Sequence, residues 1–173
     1  YTLAVLMIVV AIAGVLAVLA TYGVRKYIAN AKTTEARNSI GQISHDVAIA
    51  FERETGGTSV ILRGQQSAIV RQLCPTSTQV PASVPRAEKY QSKNTDWMQD
   101  PGWSCLKFSL DQPQYYSYQY VASNRTSSAG AYSVRAFGDL NGDGILSTFQ
   151  INGVVQSGML NTSPTIGEVN PEE

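Results

Sequence analysis

The residues best suited to bind something are Asp139-Leu140-Asn141-Gly142-Asp143-Gly144, which match the opening D-x-N-x-D-G of a calcium loop. Calcium takes about six to eight oxygens, and side chains at alternate positions converge on one ion only where the chain turns sharply. Gly144 permits that turn, so Asp139, Asn141 and Asp143 are the candidate ligands, with the carbonyl of Ile145 next. The motif is half complete. Its twelfth position, where a helix-loop-helix site carries a bidentate Glu, holds Gln150, and its ninth holds Ser147, which could offer a hydroxyl or a water bridge. The same residues are preferred turn formers, and a metal-free Asn-Gly/Asp-Gly β-turn is the competing reading. No cofactor is required by the sequence; Ca²⁺ is the one candidate.

Little else is arranged for chemistry. There is one histidine, His45, and two cysteines, Cys74 and Cys105, with no CxxC, so a zinc site is not expected. No nucleophile, base and acid stand together, and the chain is not expected to be an enzyme. The run Tyr115-Tyr116-Ser117-Tyr118-Gln119-Tyr120-Val121 invites thoughts of electron transfer or base stacking, yet tyrosines at strand spacing are more often packing. Thirteen basic residues balance thirteen acidic ones, so no obligatory nucleic-acid partner is implied.

The elements that must carry these residues begin with an apolar block. From Leu3 to Ala20 every residue is apolar, Ala or Gly, a length that crosses a hydrocarbon core of roughly 30 Å as a helix. The pattern then becomes amphipathic: Tyr27, Ile28 and Ala31 lead to Ala36, Ile40, Ile43, Val47, Ala50 and Phe51, one stripe on a helix face. Lys32, Glu35, Arg37, Asp46 and Glu52 fall mostly off the stripe, and His45 lies away from it, on a solvated or inter-subunit face. Without a proline in residues 1–54, one continuous helix is expected, ending near Glu54 or Thr55 with Gly56 and Gly57 as a left-handed cap.

Beyond the helix, residues 60–62 read as a strand and residues 66–73 as a short helix stopped at Cys74-Pro75. The Pro-, Ser- and Thr-rich residues 75–85 read as a surface loop, followed by Trp97, Trp103 and Phe108 as core pieces around a Pro101-Gly102 turn. Strands are expected over residues 115–121, with Tyr116, Tyr118 and Tyr120 on one face, over 131–137, and over 145–151. A further short strand near Val154 precedes an exposed acidic tail laid against the head. The fold expected is α+β, a long N-terminal helix packed under an antiparallel sheet. Residues 1–24 form a hydrophobic helix, and residues 25–173 form a head that includes the second half of the helix.

The opening Tyr1-Thr2-Leu3, the run Leu6-Met7-Ile8-Val9-Val10-Ala11-Ile12, and Gly14 resemble the N-terminal segment of type IV pilins and related pseudopilins. The resemblance covers about an eighth of the chain. It implies a structural subunit of an extracellular filament, a homo-oligomer assembled through Tyr1, Val5, Leu6, Val9 and Gly14, with Tyr1 as a processed, N-methylated first residue. A prepilin peptidase, an assembly machinery and residence in the inner membrane before assembly are implied with it. Where the family usually has Glu at the fifth position this chain has Val5, and Tyr22 stands where many members have Pro. Arg25, Lys26, Lys32 and Arg37 would place the head in the cytoplasm by the positive-inside rule, whereas a basic leader of the family kind would place it outside. In an outside domain Cys74 and Cys105 most simply form one disulfide; two separate buried thiols are the other reading. Two alternatives complete the reading: a pseudopilin of a type II secretion system, and a membrane-anchored binding module that never polymerises.

Overall fold

The computed structural model describes residues 2–53, 55–56, 63–64, 69–126 and 128–173. Helix α1, Leu3–Glu52, runs unbroken for 50 residues, about 75 Å at helical rise. It ends slightly earlier than the glycines suggest. Arg53 leaves it in an extended conformation while its N–H still donates to the Ile49 carbonyl at 3.2 Å, so no left-handed cap forms there. Gly56 instead pairs with Ile69, in a two-stranded ladder of β1, Thr55–Gly56, and β2, Ile69–Val70. Gly57, the strand expected over residues 60–62 and most of the helix expected over 66–73 lie outside the described residues. The described part of that helix is β2 followed by irregular chain.

The amphipathic stripe is real in its second half only. Ala36, Ile40, Ile43, Val47, Ala50 and Phe51 are buried, whereas Tyr27, Ile28 and Ala31 are exposed, at a level of the helix that the head touches only through its C-terminal segment and acidic loop. Against the stripe lies an antiparallel sheet of β3, Tyr116–Ser123, β4, Ala129–Gly138, and β5, Ser147–Gln156. The far edge of β5 is paired along successive stretches by β6, Met159–Thr162, and β7, Gly167–Val169. The C-terminal segment expected as a tail is therefore partly a strand. On the other side, the free edge of β3 is met by irregular chain: Ser77 N–H donates to the Tyr120 carbonyl at 2.9 Å, and Val80 and Tyr118 exchange bonds at 3.0 and 2.9 Å. Residues 75–85 are thus not simply a surface loop, and Val80 is buried in the core.

Burial alternates along β5 and most of β4, and in β3 except at Ser117, which faces outward yet is buried, with Gln79 donating to its hydroxyl. Tyr116, Tyr118, Tyr120, Tyr132, Val134, Ala136, Phe149, Ile151 and Val155 face the helix and are buried. Tyrosine rings fit there because glycines stand opposite them in register, Gly138 across from Tyr116 and Gly153 across from Tyr132. A Cβ on Gly153 would come within 2.1 Å of the Tyr132 ring. Packing accounts for the tyrosine-rich strand.

Two short helices, α2, Asn94–Met98, and α3, Pro101–Leu106, fill the end of the core. Pro101-Gly102 is the first turn of α3 rather than a free turn. Trp97, Trp103 and Phe108 pack edge-on and tilted at centroid distances of 5.0 to 5.6 Å. Cys74 and Cys105 form a disulfide with a Cα–Cα distance of 5.8 Å and a sequence separation of 31. It fastens α3 to the chain that runs along β3.

Candidate functional site

The first half of α1 is the largest unpartnered feature of the molecule. Its best 18-residue window has a mean hydropathy of 3.1, and none of that window is buried against the rest of the chain. Among the described residues α1 is the one helix long and apolar enough to cross a membrane. Leu6 and Val9 are about 60% exposed, at 64% and 59%, and Val5 is somewhat more shielded at 45%. Open space surrounds Gly14 on its outward side. Tyr1 lies outside the described residues. No apolar face is distinguished from a polar one here, since the helix is greasy all round, as a segment in lipid or within a bundle of helices must be.

Where the apolar half meets the head, the basic residues that follow it are joined to the C-terminal segment. The Arg37 guanidinium holds both oxygens of Glu168, Nε to Oε1 at 2.8 Å and Nη2 to Oε2 at 3.0 Å. Lys26 pairs with Glu172 at 3.0 Å, an exposed contact of small energetic weight. Lys32 and Lys89 stand over the Tyr115 ring at 4.6 and 4.9 Å. The acidic end is expected from sequence to lie against the head, but its partners, more than 100 residues away, are not marked there.

The acidic loop joins β4 to β5 and folds on itself. Asp139 is buried, and its carboxylate accepts from the N–H of Gly142 at 2.6 Å and of Gly144 at 3.1 Å. Asn141 Oδ1 accepts from the N–H of Asp143 at 2.9 Å, and Asp143 Oδ1 from the N–H of Ile145 at 2.7 Å. Both glycines take positive φ, 82° at Gly142 and 91° at Gly144, which is why glycine is needed at these two places. Arg86 Nε lies 3.9 Å from Asp139, and the Asn141 amide donates to Glu173. Among the described residues no three His, Cys, Asp or Glu side chains converge as a metal-holding group. Asp139, Asn141 and Asp143 are thus brought together, but around the loop's own amides, an arrangement that explains these residue types as turn formers without an ion. Ile145 is exposed and precedes β5 rather than beginning it.

Two carboxylates that sequence reading did not single out matter more to the head. Glu35, expected off the core stripe, is largely enclosed: its Oε1 accepts from the Tyr115 N–H at 3.0 Å and the Tyr118 hydroxyl at 3.2 Å. Burial raises its pKa, and those hydrogen bonds oppose the rise without cancelling it. Asp100 is the N-cap of α3. Its Oδ1 accepts from the N–H groups of Gly102 and Trp103 at 2.8 and 3.0 Å, and its Oδ2 from the N–H and hydroxyl of Thr78 at 2.8 and 2.9 Å. Burial works against the ionised form, but these bonds outweigh it and hold the carboxyl below its ordinary range. The signal for Asp100 was present in the sequence, as an Asp directly before Pro. Nothing local marked Glu35. His45 is exposed, with Asp46 3.9 Å away.

No protein-family description, curated protein or solved structure matches this chain.

Proposed function

We propose that this protein is a structural subunit of a type IV pilin-like extracellular filament, assembled through the apolar half of α1. The observation that carries the reading is the division of one helix into two environments. Between Ala36 and Phe51 one face of the helix is buried under the sheet, while the residues from Leu3 to Leu19 have no partner within the chain. A rod of that kind needs lipid or other helices around it. Lipid tails are as apolar as leucine, so passage from bilayer to fibre is governed by packing rather than by the hydrophobic effect. Ala13, Ala17 and Ala20 recur at helical spacing and let neighbouring backbones come close. The ordered N-terminal resemblance supplies the specific family, and the pseudopilin of a secretion system is its shorter-fibre variant.

A second reading is favoured by Val5. Where the family usually has a carboxylate this chain offers none, and a membrane-tethered binding module would need none. The test is to place single cysteines at Leu6, Val9 or Gly14, oxidise intact cells, and image the material sheared from them. Fibres containing disulfide-linked copies are expected. Cells that yield only monomer, with no fibre in micrographs, would establish the tethered module; crosslinked copies without long fibres would mark the secretion-type assembly.

A further inference from the structure

The face of the sheet turned away from α1 has an unusual charge pattern. Antiparallel partners point to the same side, so Gln119, Arg135 and Gln150, which are opposite one another across β3, β4 and β5, form one outward row. The adjacent outward rows are Ser117, Phe137 and Thr148 on one side and Val121, Ser133 and Asn152 on the other. Arg135 is the one charged residue in these three rows. It is half-buried, its Nε is shielded from solvent without a hydrogen-bond partner, and it takes part in no ion pair among the described residues. A guanidinium at the centre of a sheet normally finds a carboxylate or a carbonyl. Arg37, by contrast, closes such a fork on Glu168.

We propose that this outward face is a binding site for a carboxylate-bearing sugar, a uronate unit of an acidic polysaccharide. The two terminal nitrogens of Arg135, rather than its shielded Nε, can meet a carboxylate bidentately, which a lysine cannot do. The flanking amides of Gln119, Gln150 and Asn152, of which Gln150 donates to Asn152, and the hydroxyl of Ser133 both donate and accept, as the hydroxyls of a sugar ring require. Phe137, half-buried two residues along the same strand and on the same face, offers a flat apolar surface for the ring's C–H side. A phosphate would use the Arg and the amide and hydroxyl donors, but would offer nothing to the amide oxygens or to Phe137. A purely apolar partner would leave Arg135 unpaired. The site does not depend on filament assembly, because every group in it belongs to one head.

The experiment uses the full chain dispersed in detergent and titrates it with oligogalacturonate, its fully methyl-esterified form and dextran sulfate. Saturable binding of the acid is expected, with the ester at least tenfold weaker. Arg135→Gln should weaken the acid at least tenfold and Arg135→Lys at least threefold, while Lys89→Gln on a different face stays within twofold of wild type. Tryptophan-detected melting confirms that each variant is folded, and the lysine variant, which keeps length and charge, serves if the glutamine variant is not. Absence of saturable binding, equal affinity for the ester, or an unchanged affinity in Arg135→Lys and Arg135→Gln would overturn the assignment. So would dextran sulfate binding as tightly as the acid with equal losses in the Arg135 and Lys89 variants, since that describes general attraction to polyanions. Loss of self-association alone in Arg135→Gln would give the face to a second copy and also overturn it.

Discussion

Replacing Asp100 should unfasten one end of the core. Its carboxylate receives four hydrogen bonds, two from the first turn of α3 and two from Thr78 in the irregular chain along β3. Loss of an N-cap side chain costs about 1 kcal/mol. Leaving the two Thr78 donors without an acceptor in a partly buried setting adds roughly 2 kcal/mol more. Asp100→Ala should therefore lower stability by about 3 kcal/mol at neutral pH. Asp100→Asn keeps an oxygen for the cap but turns an N–H₂ toward the Thr78 donors, and should lose about 1–2 kcal/mol. Trp97 and Trp103 are fully buried and provide the fluorescence signal for denaturant titration of the full chain in detergent. The carboxyl is held below its ordinary range, so its contribution is complete above the unfolded value of about 3.9 and is lost as pH falls through the folded value. The gap between wild type and Asp100→Ala should narrow in acid, by the part that depends on the ionised carboxylate. A loss under 1 kcal/mol at neutral pH, or a gap that persists undiminished to about pH 2, would refute the reasoning.

Glu35→Gln preserves an acceptor oxygen for Tyr115 and Tyr118 and removes the charge. Since burial raises the Glu35 pKa, wild type loses stability as pH rises from about 4.3 through the folded value, and the variant should gain on it over that range in thermal melts. Reducing the Cys74–Cys105 bridge, whose ends are 31 residues apart, should cost roughly 3–4 kcal/mol on the chain-entropy account, read as a lower denaturant midpoint with a slope that steepens because the reduced chain unfolds further. For the acidic loop, a calcium chelator should leave the melting temperature unchanged, because Asp139, Asn141 and Asp143 already satisfy the loop's own amides. A fall that Asp143→Ala abolishes would instead make it a calcium loop.

The long helix and the three central strands were legible because each depends on a periodicity carried by its own residues. Leu3 to Ala20 needs no partner to be recognised, and Tyr116, Tyr118 and Tyr120 alternate whatever they pack against. What escaped is what distant chain decides. Tyr27, Ile28 and Ala31 continue the helical stripe in sequence but stay exposed, because the stripe says nothing of where the head stops. Glu35 looks like a surface charge until Tyr115 and Tyr118 arrive from 80 residues away. Helices α2 and α3 are too short to show a period, and their hold comes from Asp100 and the tryptophans. In the acidic loop the turn chemistry was visible while its choice of partner was not: Asp, Asn and Gly suit an ion or the backbone equally, and the loop geometry turns them toward the backbone.

The capped margins of the sheet bear on crowding. The Ser77–Val80 stretch covers the β3 side, and on the other side β6 and β7 replace the long β5 edge by two short, interrupted ones. Short, interrupted edges of this kind are poor templates for another strand, so copies held at high local density are disfavoured from pairing edge to edge. Crowded heads can stay individually folded and separately recognisable, however tightly their greasy stems are gathered.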